Sequence, residues 1–195
     1  MEISSLHKFL AHGVGLEIKN LAILFSDLKG STALYQKLWD AKALNLVWEH
    51  FSFLASMISK HHGRIVKTMG DALMAVFLNP LDGLAACVEI EKTFKSDIWK
   101  NKGIGIKLGL HCGPCIAVNG NDGIDYFGTT VNVASRLQSL NTQGGFVFTQ
   151  AVLEYPAVEQ FLKSHGISIF AFQENLKGLP GQFQLYSLNL DSIPV

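Results

Sequence analysis

The segment Arg64-Ile-Val-Lys-Thr-Met-Gly-Asp-Ala-Leu-Met-Ala-Val-Phe77 narrows the possible folds more than any other part of the chain. Its apolar residues, broken at Met69–Asp71, fit two strands joined by a tight turn in which Gly70 supplies backbone freedom. Helical periodicity flanks this hairpin on both sides. Upstream, Leu34, Leu38, Leu44, Val47, Phe51, Leu54 and Ile58 recur at steps of three and four with one longer gap. They predict a helix from about Thr32 to His61, broken near Asp40 and closed by Gly63. Downstream, Pro80 followed by Leu84, Ala85, Val88 and Ile90 predicts a second helix to about Ile98. Two further apolar runs, Leu21–Phe25 and Ile104–His111, offer the hairpin its partner strands. The order is then β-α-β-β-α-β, an α+β fold in which a ferredoxin-like sheet carries its helices over one face.

Additional C-terminal αβ elements extend this ferredoxin-like βαββαβ core. Gly113-Pro114 predicts a turn, Cys115–Val118 a return strand, and Asn119–Gly123 a polar loop. Asp125-Tyr-Phe-Gly128 precedes a third helix over Thr130–Leu140. Phe146–Phe148 reads as a strand, with Thr149 capping a short helix after it. Two more strands, Ile167–Phe172 and Gln182–Leu188, flank the 175–181 loop. A length of 195 residues suits one domain, placed here at 18–190, with a lead-in over 1–17 and a tail over 191–195.

Composition excludes several functions. Sixteen basic residues balance sixteen acidic ones, and Arg64 and Arg136 are the only arginines. A general nucleic-acid binder would need a basic stripe, so no nucleic-acid partner is expected. Hydrophobic residues make up 48% and charged residues 16%, which argues against disorder. No apolar run is long enough for a membrane helix, and the amino terminus lacks signal-peptide character. Three cysteines are too few for a disulfide scaffold, so a cytoplasmic setting is expected. Cys112 and Cys115 form a C-G-P-C sequence, read either as a redox pair or as a turn with two half-buried small side chains.

Two carboxylates stand out. Asp27 follows the first apolar run, and Asp71 sits at the hairpin tip. Each is read as a local turn or cap residue, or as half of an oxygen-only site for Mg²⁺ or Mn²⁺. Leu28, Lys29, Gly30, Ser31 and Thr32 would then offer backbone N–H groups to phosphate at a helix start. No Walker A sequence is present. Lys67 is either an edge-strand lysine or a donor into a pocket. Asp125 would be the matching acceptor, and adenine offers N1 beside its amino group to such a pair. Asn132 and Arg136, four apart, share a helix face and are read as a solvated rim or as a grip on ribose and phosphate. Lys177 is a solvent lysine or a triphosphate ligand. Neither a Ser-His-Asp order nor a nucleophile elbow is seen.

Four stretches together resemble the class III nucleotidyl cyclase catalytic domain, the family of adenylyl and guanylyl cyclases. They are Phe25-Ser-Asp-Leu-Lys-Gly-Ser-Thr32, Val66-Lys-Thr-Met-Gly-Asp-Ala-Leu-Met-Ala-Val76, Leu108-Gly-Leu-His-Cys-Gly-Pro114 and Phe127-Gly-Thr-Thr-Val-Asn-Val-Ala-Ser-Arg136. The resemblance runs from about Ile23 to Tyr186. It implies an adenylate cyclase that converts ATP to 3′,5′-cyclic AMP and pyrophosphate, with two divalent cations per site. It implies a head-to-tail homodimer with sites shared between subunits. Asp27 and Asp71 take the metal positions, Lys67 and Asp125 the purine-selecting positions of adenylyl type, and Asn132 and Arg136 the transition-state positions. Lys177 takes the triphosphate-lysine position. Guanylyl members commonly carry Glu and Cys at the purine positions. A guanylyl cyclase and a silent nucleotide-binding dimerisation domain remain alternatives. A diguanylate cyclase is disfavoured, because the turn here is Met69-Gly-Asp-Ala72. The family usually carries a sensor, so an upstream sensor or regulatory domain outside this chain is expected.

Overall fold

The run Leu21–Phe25 is buried on both sides because it lies in the middle of a broad sheet. The structure, a computed structural model, describes residues 17–30, 40–120, 123–140 and 145–189. In chain order the elements are β1 (Glu17–Lys29), α1 (Asp40–Lys60), β2 (Arg64–Met69), β3 (Ala72–Phe77), α2 (Pro80–Phe94) and α3 (Asp97–Lys100). They continue with β4 (Gly105–Gly120), β5 (Gly123–Phe127), α4 (Thr129–Leu140), β6 (Gly145–Thr149), α5 (Gln150–Leu153), α6 (Val158–Ser164), β7 (Ser168–Asn175) and β8 (Gln182–Asn189). The expected beginning of the first helix, before Asp40, lies outside the described residues.

The molecule is a mixed α/β fold around one eight-stranded sheet, ordered β2-β3-β1-β4-β6-β8-β7, with β5 paired to β4. The β4–β6 pair is parallel; the other pairs are antiparallel. Alternation along β1 divides the core. Ala22, Leu24 and Leu28 face a layer built from α1 and α2, through Leu54, Ile58, Leu84 and Ile90. Leu21, Ile23 and Phe25 face the opposite side, where Ala134 of α4 covers them beside Met74 and Val76. Helices therefore cover both faces, not one. The cause is that β1 is apolar at consecutive positions, which a strand buried on a single face does not need.

The hairpin forms as expected, with Gly70 in the left-handed region at φ 65°. The second helix is shorter than expected. Asn79 caps it by accepting from the Leu81 N–H at 2.9 Å. It ends at Phe94, and the separate turn α3 puts Trp99 against Phe94, ring centroids 4.4 Å apart.

The expected turn at Gly113-Pro114 is absent. β4 passes straight through it, paired with β1 from Glu17↔Ala117 to Lys29↔Gly105. Proline is tolerated because its missing N–H falls between the β6 pairing at 107–110 and the β5 pairing at 116–120. The Pro114 carbonyl is instead taken by Thr130 Oγ1, which donates to it. After Asn119 the described chain pairs back antiparallel into β5, with Gly120 opposite Gly123, and β5 is a strand too short and too polar to be read from periodicity. Thr149 makes no cap hydrogen bond; its hydroxyl meets His111 Nδ1 at 2.7 Å.

Candidate active site

β1 extends past its apolar run to Lys29, so Asp27 is a ladder residue rather than a loop residue. It sits directly opposite Lys107 of β4, whose Nζ lies 3.1 Å from Asp27 Oδ2. Asp71 belongs to the turn between β2 and β3. The β1–β3 register, ending at Ser26↔Leu73, carries this turn alongside Asp27 and Leu28. Both carboxylates thus lie at one end of the sheet. Asp71 Oδ2 is buried and has no hydrogen-bond partner among the described residues. A buried carboxylate oxygen left this way is costly unless a cation meets it. Oxygen donors without sulfur or imidazole suit Mg²⁺ or Mn²⁺, so the residues present fit such ions. No group of three or more His, Cys, Asp or Glu gathers there among the described residues.

Leu28 and Lys29 pair with Ile106 and Gly105, and Gly30 begins the exit from the strand at φ 88°. Ser31 and Thr32 lie outside the described residues.

Lys67 and Asp125, far apart in sequence, meet. Lys67 Nζ is 2.6 Å from Asp125 Oδ2, with the two side chains 38% and 30% exposed. A register shift in β2 between Ile65 and Lys67 re-aims the strand just before the lysine. On β5, the Tyr126 N–H donates to Asp125 Oδ1 at 2.8 Å and fixes the other carboxylate oxygen. The Lys67 ammonium also lies 5.8 Å from the centre of the half-exposed Phe127 ring. A donor, an acceptor and an aromatic face therefore share one partly open place, a chemistry suited to a flat heterocycle.

α4 sets a third group. Its apolar face, Val133, Ala134 and Leu137, is buried, which leaves Asn132 and Arg136 exposed one turn apart. Arg136 Nε donates to the Lys177 carbonyl at 3.3 Å. The loop carrying Lys177 is anchored because Leu176 packs with Val133, Leu137 and Leu185. The structure thus sets the backbone of Lys177 against Arg136, with Asn132 one turn away on the same helix. Gly109 of β4 permits this seat for α4: a Cβ there would stand 2.6 Å from Gln138 N and 2.8 Å from Ala134 O.

Cys112 and Cys115 do not form a redox pair. They are an odd number of residues apart on one strand, and each is held separately. Cys112 Sγ contacts the Ala151 carbonyl at 3.2 Å, and Cys115 Sγ the Lys19 carbonyl at 3.4 Å. Burial pushes the Cys112 thiol up to about 11 and raises that of Cys115. Neither is a ready thiolate.

Sequence reasoning missed Lys107 at this end of the sheet and the buried His50 of α1. Lys107 is one basic position in a strand, and only strand register reveals its partner. His50, fully buried in α1, falls at an apolar step of the helix and carries no motif.

Comparison with known proteins agrees with this layout. A family model described as "Adenylate and Guanylate cyclase catalytic domain" matches residues 16–189. An uncharacterised protein of Mycobacterium tuberculosis is 32% identical over 120 residues, covering 62% of this chain and 30% of that protein. A germination-specific adenylate cyclase of Dictyostelium discoideum is 26% identical over 139 residues, covering 64% of this chain and 16% of the relative. The chain thus spans less than a third of the length of these relatives. Among solved structures, the adenylyl cyclase CyaB from P. aeruginosa superposes with a TM-score of 0.77 at 23% identity, over 90% of this chain and 96% of that one. The guanylyl cyclase Cya2 gives 0.77 at 20% identity, over 89% and 93%. A family match across nearly the whole described fold, together with both acids at one sheet end and the paired Lys67 and Asp125, leads to one assignment: the chain belongs to the class III nucleotidyl cyclase catalytic domains, the adenylate and guanylate cyclase family.

Proposed function

We propose that this chain is an adenylyl cyclase that works as a head-to-tail homodimer and converts ATP to 3′,5′-cyclic AMP and pyrophosphate. Residues 18–190 form its catalytic domain. The antiparallel order β2-β3-β1-β4, connected through α1 and α2, supports a ferredoxin-like core for it. The observation that carries the substrate reading is the Lys67–Asp125 pair. Adenine presents an acceptor at N1 and a donor at its amino group, so Lys67 gives a hydrogen bond and Asp125 accepts one. Guanine presents the two in reversed order, which makes the orientation of the pair the selecting feature.

In the reaction the ribose 3′-oxygen forms a bond to the α-phosphorus. The bond from that phosphorus to the bridging oxygen breaks, pyrophosphate leaves, and the hydroxyl proton passes to solvent. Asp27 and Asp71 of one subunit hold two Mg²⁺ or Mn²⁺ ions, which when bound supply Lewis acidity toward the hydroxyl and neutralise triphosphate charge. The stretch Leu28, Lys29, Gly30, Ser31 and Thr32 would offer its backbone N–H groups to the phosphates. From the second subunit come Lys67 and Asp125 on the base. Asn132 orients the ribose, Arg136 meets charge growing on the α-phosphoryl oxygens, and Lys177 grips the triphosphate. Lys67 and Asp71 are neighbours in sequence yet serve different sites of the dimer.

The test is product formation from ATP and from GTP with Mn²⁺ and with Mg²⁺, scanned over protein concentration. The reading expects cyclic AMP, dependence on the divalent ion, and activity rising faster than linearly with protein where dimers dissociate. Preferred use of GTP would make the chain a guanylyl cyclase. Nucleotide binding without either product would make it a silent dimerisation domain.

A further inference from the structure

β5 pairs with β4 from Ile116↔Phe127 to Gly120↔Gly123, yet its Asp125 meets Lys67 of β2. In the order β2-β3-β1-β4 the strands β4 and β2 stand three places apart, about 14 Å at ordinary strand spacing. β5 therefore folds back over the face of the sheet instead of extending it. Tyr126 packs on that face beside Leu21, Val66 and Val76. Between β5 and the sheet is a cavity of about 710 Å³, a size common among small-molecule sites.

Its lining has two chemistries. Leu21 and Val76 are buried and Val66 and Tyr126 half-buried, which makes an apolar floor. Lys19 and Arg64 bring positive charge, and no carboxylate lines the cavity among the described residues. Lys19 Nζ lies 3.2 Å from Glu17 Oε2, so its charge is already met. Arg64 is exposed and has neither a hydrogen bond nor an ion pair from its side chain among the described residues. A charge at the start of an edge strand also keeps that edge soluble, but solubility alone does not call for an apolar cavity beside it.

We propose that this cavity is a further ligand site, one for an amphipathic carboxylate. A flat or branched apolar body lies on Leu21, Val66, Val76 and Tyr126, and the carboxylate is taken by the Arg64 guanidinium fork. The site is separate from the groups assigned to the nucleotide. Alternation along β5 gives Ile124 and Tyr126 to the cavity and leaves Asp125, between them, for Lys67. The two sites share β5, so a seated ligand bears on the strand that positions Asp125. The proposal holds whichever nucleotide the chain uses.

The experiment titrates three probes into the full chain, without nucleotide or metal, and reads binding from the probe's own nuclear magnetic resonance signals. The probes are naphthoate, its neutral counterpart naphthalenemethanol, and acetate, which has the charge without the apolar body. Thermal midpoints are measured in parallel on wild type, Arg64→Gln, Ile124→Trp and Arg136→Gln. Wild type is expected to bind naphthoate, and to bind naphthalenemethanol and acetate each at least about tenfold more weakly, the scale of a hydrogen bond to a charged group. Arg64→Gln, a change at an exposed position, is expected to weaken naphthoate by about tenfold or more and to leave naphthalenemethanol unchanged. Ile124→Trp puts bulk into the cavity from a half-exposed position and is expected to abolish naphthoate binding. Arg136→Gln is expected to bind naphthoate as wild type does. Absence of naphthoate binding to wild type overturns the proposal, and so does equal binding of naphthalenemethanol. Wild-type naphthoate binding in Arg64→Gln, or in a folded Ile124→Trp, overturns it as well. Loss in Arg136→Gln with Arg64→Gln unaffected places the probe among the nucleotide groups and also overturns it.

Discussion

Lys107 stands directly opposite Asp27 across the β1–β4 ladder, and its ammonium nitrogen lies 3.1 Å from Asp27 Oδ2. The side chains are 24% and 26% exposed, so solvent screens the pair only in part. If Asp27 holds a divalent ion, as proposed above, an arriving ion would compete with this lysine for the same carboxylate. Lys107→Met is therefore expected to tighten Mn²⁺ binding, measured without nucleotide, by about two- to fivefold, the equivalent of roughly 0.5–1 kcal/mol for a partly exposed pair. Unchanged or weaker binding would show that the lysine is no competitor at Asp27.

Gly109 marks where α4 rests on β4. A methyl group there would meet Gln138 N at 2.6 Å, Ala134 O at 2.8 Å and Leu137 Cβ at 2.8 Å, and two of these are backbone atoms that cannot swing aside. Gly109→Ala is expected to cost about 1–3 kcal/mol by overpacking, read from denaturant unfolding. It also shifts the helix that carries Asn132 and Arg136. Turnover should fall by about tenfold or more even at a temperature where the protein stays folded, since misplacing such groups by a fraction of an ångström is expensive. Wild-type turnover in a folded Gly109→Ala protein would disconnect the seat of α4 from the chemistry.

Burial lowers the pKa of His111 to about 4, against the usual value near 6.5 that it regains on unfolding. Between these values the unfolded chain binds more protons than the folded one. Stability is then fully present above about pH 6.5 and declines as the pH falls toward 4, by about 1–3 kcal/mol for this group. His50 adds a decline of the same sign. Urea unfolding at pH 7.5, 6 and 5 is expected to show this slope in wild type and a shallower one in His111→Gln. An identical slope in both would remove His111 from the acid sensitivity.

The residues of the candidate site were singled out by four stretches that resemble the cyclase family, since each residue alone also reads as an ordinary turn, edge or rim residue. The structure brings Lys67 and Asp125 into contact, puts Asp27 and Asp71 at one sheet end and leaves Asn132 and Arg136 on an exposed helix face. Periodicity also located β1, the hairpin, α2 and α4 within a few residues. It failed where tertiary pairing overrides local preference. Gly113-Pro114 reads as a turn, yet β4 stays extended because β1 pairs with it on both sides of the proline. β5 went unseen, since its Gly-Ile-Asp-Tyr-Phe has no run of alternation and is held by β4 alone in the sheet. Lys107 and His50 went unseen because their meaning depends on what lies across the register or under the helix. The C-G-P-C pattern left a redox pair and a turn open, and the structure shows neither: its two sulfurs, on an unbroken strand, contact carbonyls on separate segments.

Each catalytic centre of the proposed dimer draws its acids from one chain and Arg136 from the other. Asp27→Ala and Arg136→Ala, each inactive alone, are mixed in equal amounts under conditions where subunits exchange, and cyclic AMP formation is measured. Random pairing gives half heterodimers, each with one intact centre, so recovery to about a quarter of wild-type activity is expected for a site shared across a two-fold dimer. No recovery, with heterodimers demonstrated by differently tagged chains, would contradict the account.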